Sequence, residues 1–148
     1  MNSKQIRPLA LCVFRNGDRI LVSEGYDSVK RETYDRPVGG GIEFGESGAV
    51  AVTREIREEL GVEITGLRLL GAFENIFTLE GVVGHEIVMV YDARFVKESL
   101  YAEVTLPFRE EDRAQPHAHW RNLNQQQPGR PLYPTGLREL LVKSQESQ

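Results

Sequence analysis

Glu55, Glu58 and Glu59 follow closely on three consecutive glycines, Gly39, Gly40 and Gly41. Carboxylates three and four residues apart repel on a helix, by roughly 0.2–0.5 kcal/mol per pair, and no lysine stands at matching positions on this arc. Oxygen ligands that converge on one spot suit a hard cation, and Mg²⁺ accepts a few carboxylates together with waters and substrate phosphates. A glutamate-rich helix is more often a solvated acidic face. The glycines shift that balance, because they permit positive φ and let bare backbone approach a ligand, a carbonyl to ligate or an N–H to meet phosphate.

The positioning element is a helix over Gly48 to Leu60. Ser47 is its N-cap and Gly61 its left-handed C′ residue, and no proline or further glycine interrupts the run after Gly48. At about 100° per residue, Val52, Ile56 and Leu60, with Ala49 and Thr53, form an apolar stripe toward a core. Glu55, Glu58 and Glu59 share the adjacent arc and are expected to face outward together. Arg54 and Arg57 flank them, either able to orient or partly neutralise a glutamate.

Gly40, Glu46, Arg54, Glu55, Ile56, Glu58, Glu59, Gly61 and Val62 reproduce a known spacing: glycine, five residues, glutamate, seven residues, then Arg-Glu-aliphatic-x-Glu-Glu-x-Gly-aliphatic. The stretch resembles the box of the Nudix (MutT-like) hydrolases, with no position departing. At residue frequencies of about 5–7% for the seven fixed positions, a chance match in a chain of this length is roughly one in ten million. The resemblance implies an α/β architecture, the Nudix fold: an α-β-α sandwich with a mixed sheet and the box as loop-helix-loop.

It also implies roles. Glu55 and Glu59 are principal Mg²⁺ ligands, with Mn²⁺ a substitute, Glu58 shares the metal or acts as base, and the Gly39 carbonyl is a further ligand. Gly40, Glu46 and Arg54 support the box. Because the base differs within the family, Glu58, Glu86 and a loop carboxylate, Glu110 or Glu111, all stay open for that role.

The remaining chain is consistent with such a scaffold. Its 148 residues suffice for one domain, residues 1–148, and a 40% hydrophobic, 27% charged composition excludes a disordered or fibrous class. A net charge of −4 argues against a nucleic-acid binder, which needs a basic footprint, and leaves a small nucleotide delivered with a metal as partner. The lone Cys12 is expected buried and reduced. The apolar run after Pro8 is too short to act as a secretory core or to span a bilayer, so no membrane partner and a cytoplasmic setting are the expectation. Homodimers are common in the family that the box resembles.

Leu9 to Arg15 and Arg19 to Glu24, joined through Asn16-Gly17-Asp18, read as a hairpin. Gly25 to Arg36 reads as irregular, with Tyr26, Lys30, Arg31 and Tyr34 either ordinary loop residues or able to reach a base or phosphate. A short strand over Tyr34 to Val38 carries Pro37, whose side of the strand lacks an N–H. Period-two alternation predicts strands over Val62 to Glu74 and Glu86 to Val96, turning at Gly81 to Gly84. Glu74 and Glu86 are each charged residues in a strand, at a sheet end or facing a polar cleft. Ala118 to Leu123 is a last strand, with Trp120 in the core and His117 and His119 exposed. Thr135 is expected to cap a closing helix whose Leu137, Leu140 and Leu141 share a face.

For substrate, the resemblance is informative through what is missing. Some branches carry a proline about 15 residues after the box, associated with ADP-ribose hydrolysis, or a tyrosine slightly later, associated with dinucleoside polyphosphates. Here the region reads Ile76-Phe77-Thr78-Leu79. That favours a nucleoside triphosphate, oxidised or not, with ADP-ribose or another sugar nucleotide as the alternative. A nucleotide-sensing domain that does not cleave its ligand is the alternative of another class, although such domains usually lose glutamates that are all present here.

Overall fold

The computed structural model describes residues 4–109 and 117–146, with side chains through Lys143. In chain order the strands are β1 (Ile6–Val13), β2 (Arg15–Asn16), β3 (Arg19–Asp27) and β4 (Glu32–Gly41). The helix α1 (Gly48–Leu60) follows, then β5 (Ile64–Leu79), β6 (Val82–Phe95), a 3₁₀ turn (Glu98–Ala102), β7 (Thr105–Pro107), β8 (His117–Asn122) and α2 (Leu137–Glu146). The sheet runs β5-β6-β1-β4-β3-β8-β7, with β2 hanging from β3. The β1–β6 pairing is parallel and the others are antiparallel, so the sheet is mixed.

The alternation along β1 explains why helices cover both faces. Ala10, Cys12 and Phe14 join Val52 and Ile56 of α1 in one core cluster, while Leu9, Leu11 and Val13 join Leu137 and Leu141 of α2 in the other. A strand buried on both sides reads as a continuous apolar run, which is what this segment shows. Val52 and Ile56 are fully buried, each worth roughly 1.5–3 kcal/mol of transfer free energy. Cys12 lies at the centre of this layer, and burial first, with Asp92 adding, pushes its thiol pKa up. No helix among the described residues is long and apolar enough to cross a membrane.

Four expectations are corrected. The Asn16-Gly17-Asp18 turn closes only the short β2–β3 pair, because β1 takes β4 and β6 as partners and thereby buries both its faces. The Gly25 to Arg36 stretch is mostly strand, the ends of a β3–β4 hairpin in register from Val22 with Pro37 to Asp27 with Glu32. Its polar residues reflect a cavity wall, not irregular chain. The β5–β6 turn is Glu80-Gly81, both with positive φ of 53° and 76°, a primed two-residue loop, so the strands run past the expected Gly81 to Gly84 turn. Finally, α2 begins at Leu137, two residues after Thr135, with Gly136 at φ 95° between them.

The feature that positions the site is a change of partner within β4. Residues through Pro37 pair with β3, and from Val38 onward they pair with β1. Pro37, which lacks a donor, stands at that switch. The sheet splits there, and a cavity of about 770 Å³ opens between the β3–β4 and β5–β6 hairpins.

Candidate active site

Local chemistry sets α1 as read. The Ser47 hydroxyl accepts the Val50 N–H at 3.2 Å, and Gly61, at φ 68°, donates its N–H to the Arg57 carbonyl at 2.9 Å. The glutamates do not all face outward, however. Glu59 is 4% exposed and accepts the Gly39 N–H at 3.0 Å, whereas the side chain of Glu58 is 60% exposed. The physical reason is that the glycine end of β4 lies against this arc of the helix. A Cβ on Gly40 would stand 2.5 Å from the carboxyl carbon of Glu55, so a bare backbone is what lets that carboxylate tuck in.

Gly39 is constrained more severely. Its φ is 146°, and a Cβ would lie 2.2 Å from the Ala10 carbonyl oxygen and 2.8 Å from Leu11 Cα, both backbone atoms of the neighbouring strand. Gly39→Ala is therefore expected to lose about 3 kcal/mol of stability in urea unfolding. An unchanged midpoint would mean that the strand pair yields more easily than its register suggests.

Arg54 ties the loop to the helix. Its Nε and Nη2 donate to the two oxygens of Glu46, each at 2.8 Å, a bidentate pair. Nη2 also reaches the Gly41 carbonyl at 3.1 Å, and Nη1 reaches Glu55 at 3.0 Å and Glu58 at 3.4 Å. Arg57, the other flanking arginine, instead pairs with Glu63 at 3.2 Å.

Hydrogen bonds from Arg54, with the Glu43 amide adding, hold Glu46 down to about 2. For Asp35, burial pushes the carboxyl up, but hydrogen bonds from His119, Arg130 and Arg121 outweigh it and bring it to about 2. Both folded values lie below the unfolded references of 4.5 and 3.8, so the stability they carry is present above those references and lost as pH falls through the folded values. Stability should thus decline between about pH 4.5 and 2, followed as the urea midpoint against pH. Arg54→Met should remove the Glu46 share of that slope.

Glu86 comes from the far side of the split. It is 7% exposed, 3.8 Å from Arg7 Nη1, and lines the same cavity as Glu55, Glu58 and Glu59. Glu74 does not line it and is exposed. Glu110 and Glu111 lie outside the described residues. Arg109, just before them, lines the cavity and donates its backbone N–H to the Glu59 carbonyl at 2.9 Å. Tyr26, Lys30 and Tyr34 line the cavity as well, and Arg31 does not. His117 is exposed as expected, whereas His119 is half-buried, 3.5 Å from Asp35, because the Asp35 carboxylate draws it in.

Sequence reading missed Arg7, Asn75, Asp27 and Phe77 on the cavity wall. Gly25 and Gly84 stand inside strands in the structure, where a glycine goes with something lying flat against the backbone, but that signal is invisible once the one is read as irregular chain and the other as a turn.

Among the described residues no group of three or more His, Cys, Asp or Glu stands in metal-holding geometry. The donor set nonetheless fits a hard divalent ion in kind. Its members are oxygens only, they share one cavity, and the bare Gly40 backbone leaves a cradle that Glu55 occupies and a Cβ would fill.

The sequence model of the NUDIX domain matches residues 5–135. A MutT NUDIX hydrolase from Burkholderia pseudomallei superposes with a TM-score of 0.63 at 26% identity, over 94% of this chain and 98% of that one. A NUDIX hydrolase from Nitrosomonas europaea, 16% identical, superposes with a TM-score of 0.62 over 97% and 90% of the two chains. An ADP compounds hydrolase, also 16% identical, gives 0.63 over 97% and 75%. The last two likenesses are of fold alone.

Proposed function

Because the chain belongs to the Nudix hydrolase family and is a pyrophosphohydrolase, we propose that it cleaves the diphosphate linkage of a nucleoside diphosphate joined to a further group X, with Mg²⁺ as its ion and Mn²⁺ as a substitute. The observation that carries this reading is the cavity with Glu59 and Glu55 set against the glycines on one wall and Glu86 on the other.

Glu55, Glu59 and the Gly39 carbonyl would hold the ion, with Glu58 joining them once it turns from Arg54. A bound divalent ion supplies Lewis-acid polarisation of a phosphoryl oxygen and of the attacking water. The chain's own groups do the rest. Arg54 and Glu46 keep the loop fixed on the helix, and Arg7 and Arg109 at the cavity wall meet phosphate charge. Of the candidate bases, Glu58 and Glu86 line the cavity, and either would take the water's proton, a contribution of about 10²–10⁴-fold.

For the substrate we infer a nucleoside triphosphate, cleaved to monophosphate and pyrophosphate, since the downstream marks of the ADP-ribose and dinucleoside polyphosphate branches are missing. The cavity volume of about 770 Å³, toward the upper part of the range for ligand sites, leaves room for a second reading in which X is a sugar. A nucleotide panel with Mg²⁺ and product analysis tests both. Pyrophosphate release from triphosphates supports the first, and two monophosphates from sugar nucleotides support the second. Nucleotide bound but intact after hours with metal would leave a sensing domain instead.

A further inference from the structure

The two hairpins that form the cavity are built alike. On β3–β4, Tyr34 faces Gly25 across the ladder, and a Cβ on Gly25 would lie 2.4 Å from the tyrosine ring. On β5–β6, Phe77 faces Gly84, and a Cβ there would lie 2.4 Å from the phenylalanine ring. Each glycine thus lets an aromatic ring lie flat on its own sheet, and both rings line the cavity. Tyr133 packs edge-on against Tyr34, with centroids 5.6 Å apart at 62°, and props it. The hairpin tips are joined, since the Ser28 N–H donates to Glu80 at 2.7 Å and the Ser28 hydroxyl bonds the same carboxylate. The walls are therefore tied together at their far end.

Beside the rings are buried polar atoms that have no hydrogen-bond partner among the described residues. Asp27 is 2% exposed; its Oδ1 accepts the Val29 and Lys30 N–H groups at 3.0 and 3.1 Å, while its Oδ2 has no hydrogen-bond partner among the described residues. His85 Nε2 is likewise buried without a partner, and both residues line the cavity. A buried acceptor left unmade costs on the order of 1–3 kcal/mol, so such an atom calls for a ligand donor. Asp27 lies two residues, about 7 Å, beyond Gly25 on the same face of β3, at the edge of the ring that covers Gly25. Tyr34 is five residues, about 16 Å, along β4 from Gly39, a separation that suits a base at one end of a nucleotide and its phosphates at the other.

We propose that this far end of the cavity is a nucleobase subsite, in which Tyr34 and Phe77 offer stacking faces and Asp27 Oδ2 accepts an exocyclic amine. It takes adenine, cytosine or guanine in preference to uracil. The inference rests on the hydrolase reading only for the placement of the phosphates. The Lys30 amide first, with the Val29 amide and, from outside hydrogen-bond geometry, the Glu80 amide adding, holds the Asp27 carboxyl below its usual range against the burial that opposes them, so it is an acceptor only. Cytosine presents N4–H₂ where uracil presents a carbonyl oxygen, and the second arrangement sets two acceptors against each other.

The test uses the wild-type protein and three probes that it has no anhydride to cleave: CMP, UMP and ribose 5-phosphate, titrated by calorimetry. CMP is expected to bind at least about tenfold tighter than either of the others. Tyr34→Leu and Phe77→Leu should each lower CMP affinity about tenfold and leave ribose 5-phosphate unchanged. Gly84→Ala gives a second route to the same loss, since its Cβ displaces the Phe77 ring without deleting it. Asp27→Asn, with its oxygen kept on the Val29 and Lys30 amides, puts an N–H₂ where Oδ2 was and should invert the preference toward UMP. Three probes binding alike, or none binding, overturns the subsite even if the enzyme turns over nucleotides. Discrimination for CMP without turnover of any nucleotide supports the subsite and overturns the hydrolase reading instead.

Discussion

Glu59→Gln is expected to lower kcat by about 10³-fold, equivalent to about 4 kcal/mol of transition-state stabilisation. Glutamine keeps the volume of the side chain and an oxygen that can accept the Gly39 N–H, the contact made at 3.0 Å in the folded protein. What it removes is the negative charge on a residue 4% exposed, at a cavity wall where solvent cannot replace it. The loss should therefore appear in turnover at saturating nucleotide and Mg²⁺, with the urea midpoint almost unmoved. Glu63→Gln is the matched control, because Glu63 pairs with Arg57 away from the cavity and should retain full activity. If Glu59→Gln kept kcat within tenfold of wild type, the carboxylate would be a structural partner of Gly39, and the ion would have to be held elsewhere.

Asp35→Ala should cost the protein about 3–5 kcal/mol of stability, the largest single-residue effect expected outside the cavity. Asp35 is 1% exposed and receives Arg121 Nη1 at 2.9 Å and Arg130 through Nε at 3.0 Å and Nη2 at 2.8 Å. Arg121 is itself only 8% exposed, so truncating the carboxylate leaves a buried guanidinium with the Arg130 carbonyl, 2.7 Å away, in place of a counter-ion. The penalty arises from that stranded charge and not from the net worth of the ion pair.

The consequence reaches the site through the backbone. The Asp35 N–H donates to the Pro131 carbonyl, and the Tyr133 N–H donates to the Asp35 carbonyl, both at 2.9 Å, and this fixes Tyr133 beside Tyr34. KM should rise along with the fall in the urea midpoint. A change of less than about 1 kcal/mol would show that Arg121 finds water when its partner is removed.

The parts of this molecule that were legible in the chain are those whose causes are local. Ser47 and Gly61 bound α1 to the residue, because a side-chain cap and a left-handed glycine act within one turn. The identities and spacing of the box residues likewise identify the family without reference to any distant segment, and the family match spans residues 5–135.

Where partners are distant, reading failed or stopped short. The Asn16-Gly17 turn is present, with Gly17 at φ 63°, yet it could not reveal that β1 would leave β3 for β6, since that choice follows from burying Leu11 on one face and Cys12 on the other. Polar residues of Gly25 to Arg36 looked like loop because a wall that faces a cavity has the composition of a surface. The Asp35 network joins residues 86 and 95 positions apart, a pairing with no sequence period.

By itself, then, the order of side chains determined the helix, its limits and the set of carboxylates it carries, because caps and i to i+4 spacing are fixed by covalent neighbours. Only the tertiary structure decided that Glu59 turns inward onto Gly39, that Glu86 lines the same cavity from another hairpin, and that Tyr34 and Phe77 lie flat on glycines across a split sheet. Those arrangements depend on which strands pair and where β4 changes partner, and strand pairing is set by the global burial of apolar faces, a quantity that no short stretch of chain contains.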